Sequence, residues 1–339
     1  LEIPAESLKA IDESQKDIIL TSGGLSMTFP AGAIGAYGNG DSRIRVTVNS
    51  SWTSEAQQIV ERSIASNDSF VPVGMALSVV IELVSANGAT AIHEMKQPVT
   101  VSLKLTEEQE RKLRLELAGV YDVDGKKAEY VRGYVRDGVF TFDAAHFSYY
   151  AVLEYDKEFA DMAAHWARTS VKSLAAKHIV TGVDDRHYQP ELSIKRADFA
   201  TMLVRTLDWK GTDLPESGQS AFDDVEQDSY YGNAVGVAAK LGIITGYDGK
   251  FRPNDVMTRE EAATALARAL PYLELEESAP GAPMFGDQGE ISDWAAESVR
   301  EAWSTGLIKG DDKGRFNPKS SLTRAQVATM MERALNQHS

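Results

Sequence analysis

The chain has 339 residues, enough for about two domains that each bury a core. Its 43% hydrophobic and 25% charged residues are those of a folded globular protein, not a disordered one. A formal net charge of −15 argues against nucleic acid, which demands a basic face, and the lack of cysteine excludes disulfides, thiolate chemistry and cysteine zinc sites.

Residues 1–155 carry the marks of antiparallel strands, and a β-sandwich spacer domain is the expected architecture. A helical turn is expected at Glu6 to Ile11. Ile18 to Leu20 and Leu25 to Phe29 flank a Gly23-Gly24 turn, Arg43 to Val48 alternates, Met75 to Val84 is a long apolar run, and Pro98 to Leu105 alternates again. Thr106 and Gln109 have capping-box spacing at the start of a helical turn within Thr106 to Leu117. Asp124-Gly125 and Asp137-Gly138 signal hairpins, and an aromatic strand, Phe147 to Tyr155, closes the segment. The stretch Gly23-Gly24-Leu25 through Phe29-Pro30-Ala31-Gly32-Ala33-Ile34 resembles the start of ZU5-type β domains. No apolar run approaches the ~18 residues of a membrane span, so no membrane partner is expected.

After Asp156 the pattern turns helical, and one unit recurs three times. Gly182, Gly246 and Gly310 mark the copies, preceded at one constant distance by Trp166, Tyr230 and Trp294 and at another by Val171, Val235 and Val299. Each glycine is followed by an acidic loop with an aromatic and a proline: Tyr188/Pro190, Phe251/Pro253 and Phe316/Pro318. Six residues beyond each proline stands an arginine, Arg196, Arg259 or Arg324. From it runs one apolar helix face: Phe199, Met202, Leu203 and Leu207; then Ala262, Ala265, Leu266 and Leu270; then Val327, Met330, Met331 and Leu335.

Thr258 with Glu261, and Thr323 with Gln326, have capping-box spacing, which puts Arg259 and Arg324 at the first helical position. In the first copy Lys195 holds the cap position, and a register capped by Ser193 would move Arg196 inward. A cation at a helix start is unfavourable by roughly 0.3–1 kcal/mol. Three such arginines therefore point to an anionic occupant at a helix start with free N–H groups, the alternative being pairing with Asp161, Asp224 or Asp287. Trp166, Tyr230 and Trp294 are either core residues or platforms for a sugar ring. Gly182, Gly246 and Gly310 are expected to end helices in the left-handed conformation, or else to let a ligand approach the backbone. Glu260 beside Arg259 predicts the weakest anion site there, while Lys195 should strengthen the site of Arg196.

Motifs spread over each copy resemble the S-layer homology family. They are Phe159-Ala160-Asp161, Phe222-Asp223-Asp224 and Phe285-Gly286-Asp287; His165-Trp166-Ala167 and Asp293-Trp294-Ala295; and the helix starts Lys195-Arg196-Ala197-Asp198, Thr258-Arg259-Glu260-Glu261 and Thr323-Arg324-Ala325-Gln326. The resemblance implies an all-α pseudo-threefold unit of three helix–loop–helix repeats, at 156–212, 219–275 and 282–339. It implies grooves that bind secondary cell wall polysaccharide through a pyruvate-ketal N-acetylmannosamine terminus. It also implies non-covalent anchoring, without a cofactor, of a larger extracellular protein at the surface of a Gram-positive cell.

The six histidines lack metal-ligand spacing, and no nucleophile elbow or phosphate loop is present. Asp184-Asp185 and Asp311-Asp312 resemble calcium loops but lack the full pattern and read as turns. The chain begins at Leu1 without a signal-peptide pattern and reads as a mature or excised piece. A non-enzymatic wall anchor is the leading expectation. A self-assembling S-layer subunit and a carbohydrate-active β domain are the alternatives.

Overall fold

A computed structural model of the chain describes every residue except 35–40, 217–221, 276–280, 282–284 and 337–339, and divides into two compact units, Leu1–Lys157 and Glu158–Ser339. His338, and the residues at which the second and third repeats were expected to begin, lie outside the described residues.

The first unit runs β1 (Glu2–Pro4), α1 (Ala5–Glu13), β2 (Ile18–Ser22), β3 (Leu25–Phe29), β4 (Arg43–Asn49), α2 (Ser54–Ile64) and β5 (Phe70–Ser85). It continues with β6 (Gly88–Ile92), β7 (Glu94–Lys104), α3 (Glu107–Lys112), β8 (Ala118–Asp122), β9 (Glu129–Arg132), β10 (Tyr134–Arg136), β11 (Val139–His146) and β12 (Tyr149–Tyr155). The strands pair in two antiparallel sheets, ordered β1-β4-β5-β12-β8-β9, with β6 beside β5, and β10-β11-β7-β3-β2. Turn chemistry sets two of the hairpins. Both central residues have positive φ at Gly23-Gly24 (56° and 86°) and at Asp137-Gly138 (51° and 70°), as a two-residue turn matching strand twist requires. Thr106 and Gln109 form the capping box of α3.

Period-two alternation sorts the side chains. Leu77, Val79 and Ile81 of β5, with Val120 and Val152, share one core with Met27, Val101 and Phe140 of the other sheet. The intervening residues Tyr121, Ala151 and Leu153 point the other way and pack with Val60 of α2. The plain β-sandwich expected for residues 1–155 is corrected accordingly: β8 and β12 are covered on their second face by a helix. The local signals for α2 are a Thr53 hydroxyl that accepts from the Ala56 N–H at 3.1 Å, and a thin apolar face of Ala56 and Val60.

The second unit contains a short and a long helix per repeat: α4 (Arg168–Ala176) and α5 (Arg196–Trp209), α6 (Gly232–Lys240) and α7 (Arg259–Leu273), α8 (Ala296–Ser304) and α9 (Arg324–Asn336). The expectation of an all-α unit is overturned. Extended segments ahead of the long helices pair across repeats in antiparallel bridges, Ser193 with Thr323, Lys195 with Val256, and Thr258 with Ser321. The cause is local: the residues that precede these helices are extended, and their main-chain polar groups need partners. These bridges join each repeat to both others. Helix packing repeats the pattern, α5 on α6, α7 on α8 and α9 on α4. The expected apolar faces are buried, with Leu270 partly so.

The left-handed residues that end the short helices fall four positions before the marker glycines, at His178 (φ 54°), Gly242 (70°) and Gly306 (74°). Gly182, Gly246 and Gly310 serve close packing instead, against the rings of Phe159, Phe222 and Phe285. A β carbon at Gly246 would stand 2.5 Å from the Lys250 carbonyl oxygen and 2.5 Å from the Phe222 ring, whereas at Gly310 its nearest neighbours would lie at 3.1 and 3.3 Å. Gly246→Ala is therefore expected to cost about 1–3 kcal/mol through overpacking, and Gly310→Ala clearly less. Thermal unfolding of the two variants side by side checks the order.

Candidate functional site

Arg196, Arg259 and Arg324 each open a long helix, so the inward register for Arg196 does not occur. Thr258 and Glu261 close a capping box, as do Thr323 and Gln326, through reciprocal bonds of 2.9–3.4 Å. Lys195 caps nothing with its side chain, and its Nζ reaches Asn254 Oδ1 at 3.1 Å.

The N–H groups at these helix starts are occupied by the neighbouring repeat. Arg196 and Ala197 donate to the carbonyls of Asp255 and Pro253, Arg259 and Glu260 to those of Ser320 and Pro318, and Arg324 and Ala325 to those of Leu192 and Pro190. The guanidinium follows the same route. Nε of Arg196, Arg259 and Arg324 donates to the carbonyl of Phe251, Phe316 and Tyr188 at 3.0, 2.7 and 2.9 Å. Each guanidinium carbon also stands over the ring of that residue at 5.1, 5.2 and 4.5 Å. The positive charge at the helix start thus meets carbonyl oxygens and a π face. Burial draws Arg196 and Arg259 below the ordinary arginine value, an effect that Glu261 opposes at Arg196.

Asp161, Asp224 and Asp287 turn to their own repeat's loop. Each carboxylate accepts two successive N–H groups at 2.7–3.0 Å, from Tyr188 and Gln189, Phe251 and Arg252, and Phe316 and Asn317. Burial alone would raise these carboxyls, but the N–H bonds outweigh it and hold all three below the usual aspartate value. Asp184 and Asp311 close their loops in the same manner, taking main-chain N–H groups of residues two to four positions on.

Trp166, Tyr230 and Trp294 are 63%, 66% and 58% exposed, so they are surface rings. The Tyr230 hydroxyl donates to Asp198 at 2.7 Å. Trp294 lines a groove of about 210 Å³ with Arg196, Gly246 and Glu261, together with three residues that sequence reasoning passed over, Tyr247, Arg252 and Arg268. A second groove of about 380 Å³ is lined by Arg259, Lys309, Gly310, Asp311 and Gln326. The signal for Arg268 was present, since Arg205, Arg268 and Arg333 recur nine residues after the helix-start arginines.

Glu260 does not face the Arg259 groove as its sequence position suggested. It is buried, accepts from Ser292 N–H and hydroxyl at 3.1 and 3.2 Å, and pairs with Lys319 at 2.5 Å. The acid that meets a helix-start arginine is Glu261, 3.2 Å from Arg196 Nη1.

In the first unit, a cleft of about 650 Å³ is lined by residues that include His93, Asp122, His146 and Ser148. Asp122 sits between His146 and Ser148, accepting from Ser148 Oγ at 2.9 Å and contacting His146 Nε2 at 2.5 Å. The serine is bonded to the carboxylate and not to the imidazole, the reverse of a nucleophile–base pair.

The S-layer homology domain family matches residues 158–200, 221–263 and 285–328, so the second unit carries three S-layer homology repeats. Over 76% of its length the chain is 37% identical to an amylopullulanase of Thermoanaerobacterium thermosulfurigenes, of which it spans 14%. Over 53% it is 37% identical to an exoglucanase XynX of Acetivibrio thermocellus, of which it spans 16%, and over 50% it is 30% identical to the surface-layer 125 kDa protein of Lysinibacillus sphaericus, of which it spans 14%. It thus spans under a fifth of the length of these relatives. The repeats and the S-layer relatives mark the chain as part of an extracellular cell-surface protein anchored at the wall. The family match lies wholly in the second unit and does not reach the stretch Gly23 to Ile34, where a resemblance to ZU5-type domains was expected.

Removing the Asp287 carboxylate leaves the Phe316 and Asn317 N–H groups without their acceptor. Asp287→Ala is expected to cost about 2–4 kcal/mol and Asp287→Asn less, as measured by urea unfolding. Because the three aspartates titrate lower when folded, their stabilisation is complete above the ordinary value of 3.8 and is lost as pH falls through their lowered values. Unfolding midpoints measured from pH 7 down to pH 3 should fall at the acid end, and less steeply in Asp287→Asn.

Proposed function

We propose that the three repeats hold the chain non-covalently to the wall by binding secondary cell wall polysaccharide in the grooves between them. The recognised element would be an acidic terminus, a pyruvate-ketal N-acetylmannosamine. One observation carries this reading: the groove beside Gly246 brings arginine guanidiniums and an exposed Trp294 ring to one surface. A carboxylate-bearing sugar asks for that pairing, a planar donor fork for the acid and an aromatic face for the ring. The spread of relatives supports a portable anchor, since an amylopullulanase, an exoglucanase and an S-layer protein share this segment. The first unit is then a non-catalytic, ZU5-like spacer between the anchor and whatever the longer protein carries. Similarity to S-layer proteins favours a second reading, in which the first unit also self-assembles; light scattering that rises with concentration would mark it.

Calorimetric titration of the chain with purified wall polysaccharide, before and after chemical removal of its ketal groups, tests the proposal. Salt-sensitive binding that is lost on ketal removal is the expected result. Equal binding of both forms would refute the acidic terminus, and no binding of either would refute the anchor mechanism.

A further inference from the structure

β2 is the outer strand of its sheet, bonded to β3 and, among the described residues, to nothing on its other side. The Gly23-Gly24 turn makes Ser22 and Leu25 the closing hydrogen-bonded pair, so the main-chain groups of Leu20 and Ile18 also point to β3. Those of Ile19 and Thr21 therefore point outward, two N–H donors and two carbonyl acceptors along one edge. No side chain of the strand, Ile18, Ile19, Leu20, Thr21 or Ser22, is charged, and Ile19 is 64% exposed.

The other outer strands are guarded. β1 has three residues, ends in Pro4, and carries Glu2 bound to Arg45 at 2.9 Å. β9 carries Glu129 and Arg132 and is bulged, with Arg132 at φ 71°. β10 has three residues and follows Gly133 at φ 113°. β6 is uncharged, but ahead of Ile92 it consists of Gly88, Ala89, Thr90 and Ala91 and has little apolar surface to bury. Very short strands, proline, charges and bulges all hinder pairing with another chain, and β2 has none of these guards.

We propose that β2 pairs antiparallel with β2 of a second copy of this chain, about a twofold axis at Leu20. Self-complementarity argues for this occupant. The register that uses all the outward groups of β2 sets Ile19 opposite Thr21 of the second copy and Leu20 opposite its own counterpart. It places Asp17 opposite Gly23 and Lys16 opposite Gly24, so no like charges meet at the seam of a chain whose net charge is −15. A twofold contact of this kind closes after two copies. It gives a dimer and not an open array, and it needs neither the polysaccharide reading nor the self-assembly reading above. A paired chain presents two sets of S-layer homology repeats, which raises the avidity of any surface attachment they make.

Edge pairing over one short strand is a small interface of the transient class, so the two forms exchange in solution. Sedimentation equilibrium of the full chain should show a mean mass that rises with concentration towards twice the chain mass and no further. Ile19→Lys, at an exposed position, should sediment as a monomer with unchanged thermal unfolding, whereas Val80→Lys, which alters an exposed valine of β5, should dimerise as the wild type does. Because the chain has no cysteine, Leu20→Cys supplies a single thiol, and the proposed register brings two such residues to about 4.5 Å between Cα atoms, within disulfide reach. Oxidation of concentrated Leu20→Cys should trap a covalent dimer in far greater yield than oxidation of Val80→Cys. A wild type that stays monomeric at every concentration, a dimer that persists in Ile19→Lys, or equal crosslinking of the two cysteine variants would overturn the pairing. A mass that climbs past two copies would mark an open array and overturn the closed dimer.

Discussion

Each long helix in the second unit begins inside its neighbour. The first two N–H groups of α5, α7 and α9 are capped by carbonyls from another repeat's aromatic–proline loop, and that loop is shaped by an aspartate of its own repeat. A buried N–H left unpaired costs about 1–3 kcal/mol, so once the repeats pack together each long helix depends on its neighbour's carbonyls for its first donors. The seams run from repeat one to two, two to three and three to one. They close on themselves, and a fault in one loop is felt at the start of a helix that belongs to a different repeat.

This arrangement explains both what the sequence disclosed and what it withheld. Helix faces, capping boxes and hairpin turns were legible because each is decided within a few residues: Thr258 and Glu261 need only each other, as do the two residues of Asp137-Gly138. The surroundings of the arginines were not legible. Weighing Arg324 against its own helix dipole left an uncompensated cation, and the compensation comes from Tyr188, 136 residues away in sequence. The same limit misassigned the marker glycines, whose requirement is a neighbouring phenylalanine ring and not their own φ. In the first unit, alternation located the strands but could not say what covers the outer face of Tyr121 and Leu153, because α2 declares itself through only a cap and a thin apolar stripe.

Glu260 and Glu261 show how finely such a site is set. They are adjacent in sequence, yet successive residues of an α-helix point about 100° apart, since 3.6 residues complete a turn. Glu260 is carried into repeat three, where Ser292 and Lys319 satisfy it, and Glu261 is carried to Arg196. The acidic residue next to Arg259 in the chain is therefore turned away from the Arg259 groove, and the one two positions on acts in the Arg196 groove instead.

That distinction matters for the proposed function, in which a chain with a net charge of −15 holds an acidic glycan. The overall field repels such a ligand, so attraction has to come from guanidiniums whose charge is not already cancelled at short range. Carbonyl acceptors orient a guanidinium without neutralising it, as at Arg259 and Arg324, whereas a carboxylate both orients and neutralises, as Glu261 does at Arg196. The repeats thus use one residue type for two tasks, and the acceptor chosen decides which. An arginine spent on joining repeats gives its groove shape, and a groove that is also to attract an anion needs another whose positive charge remains available.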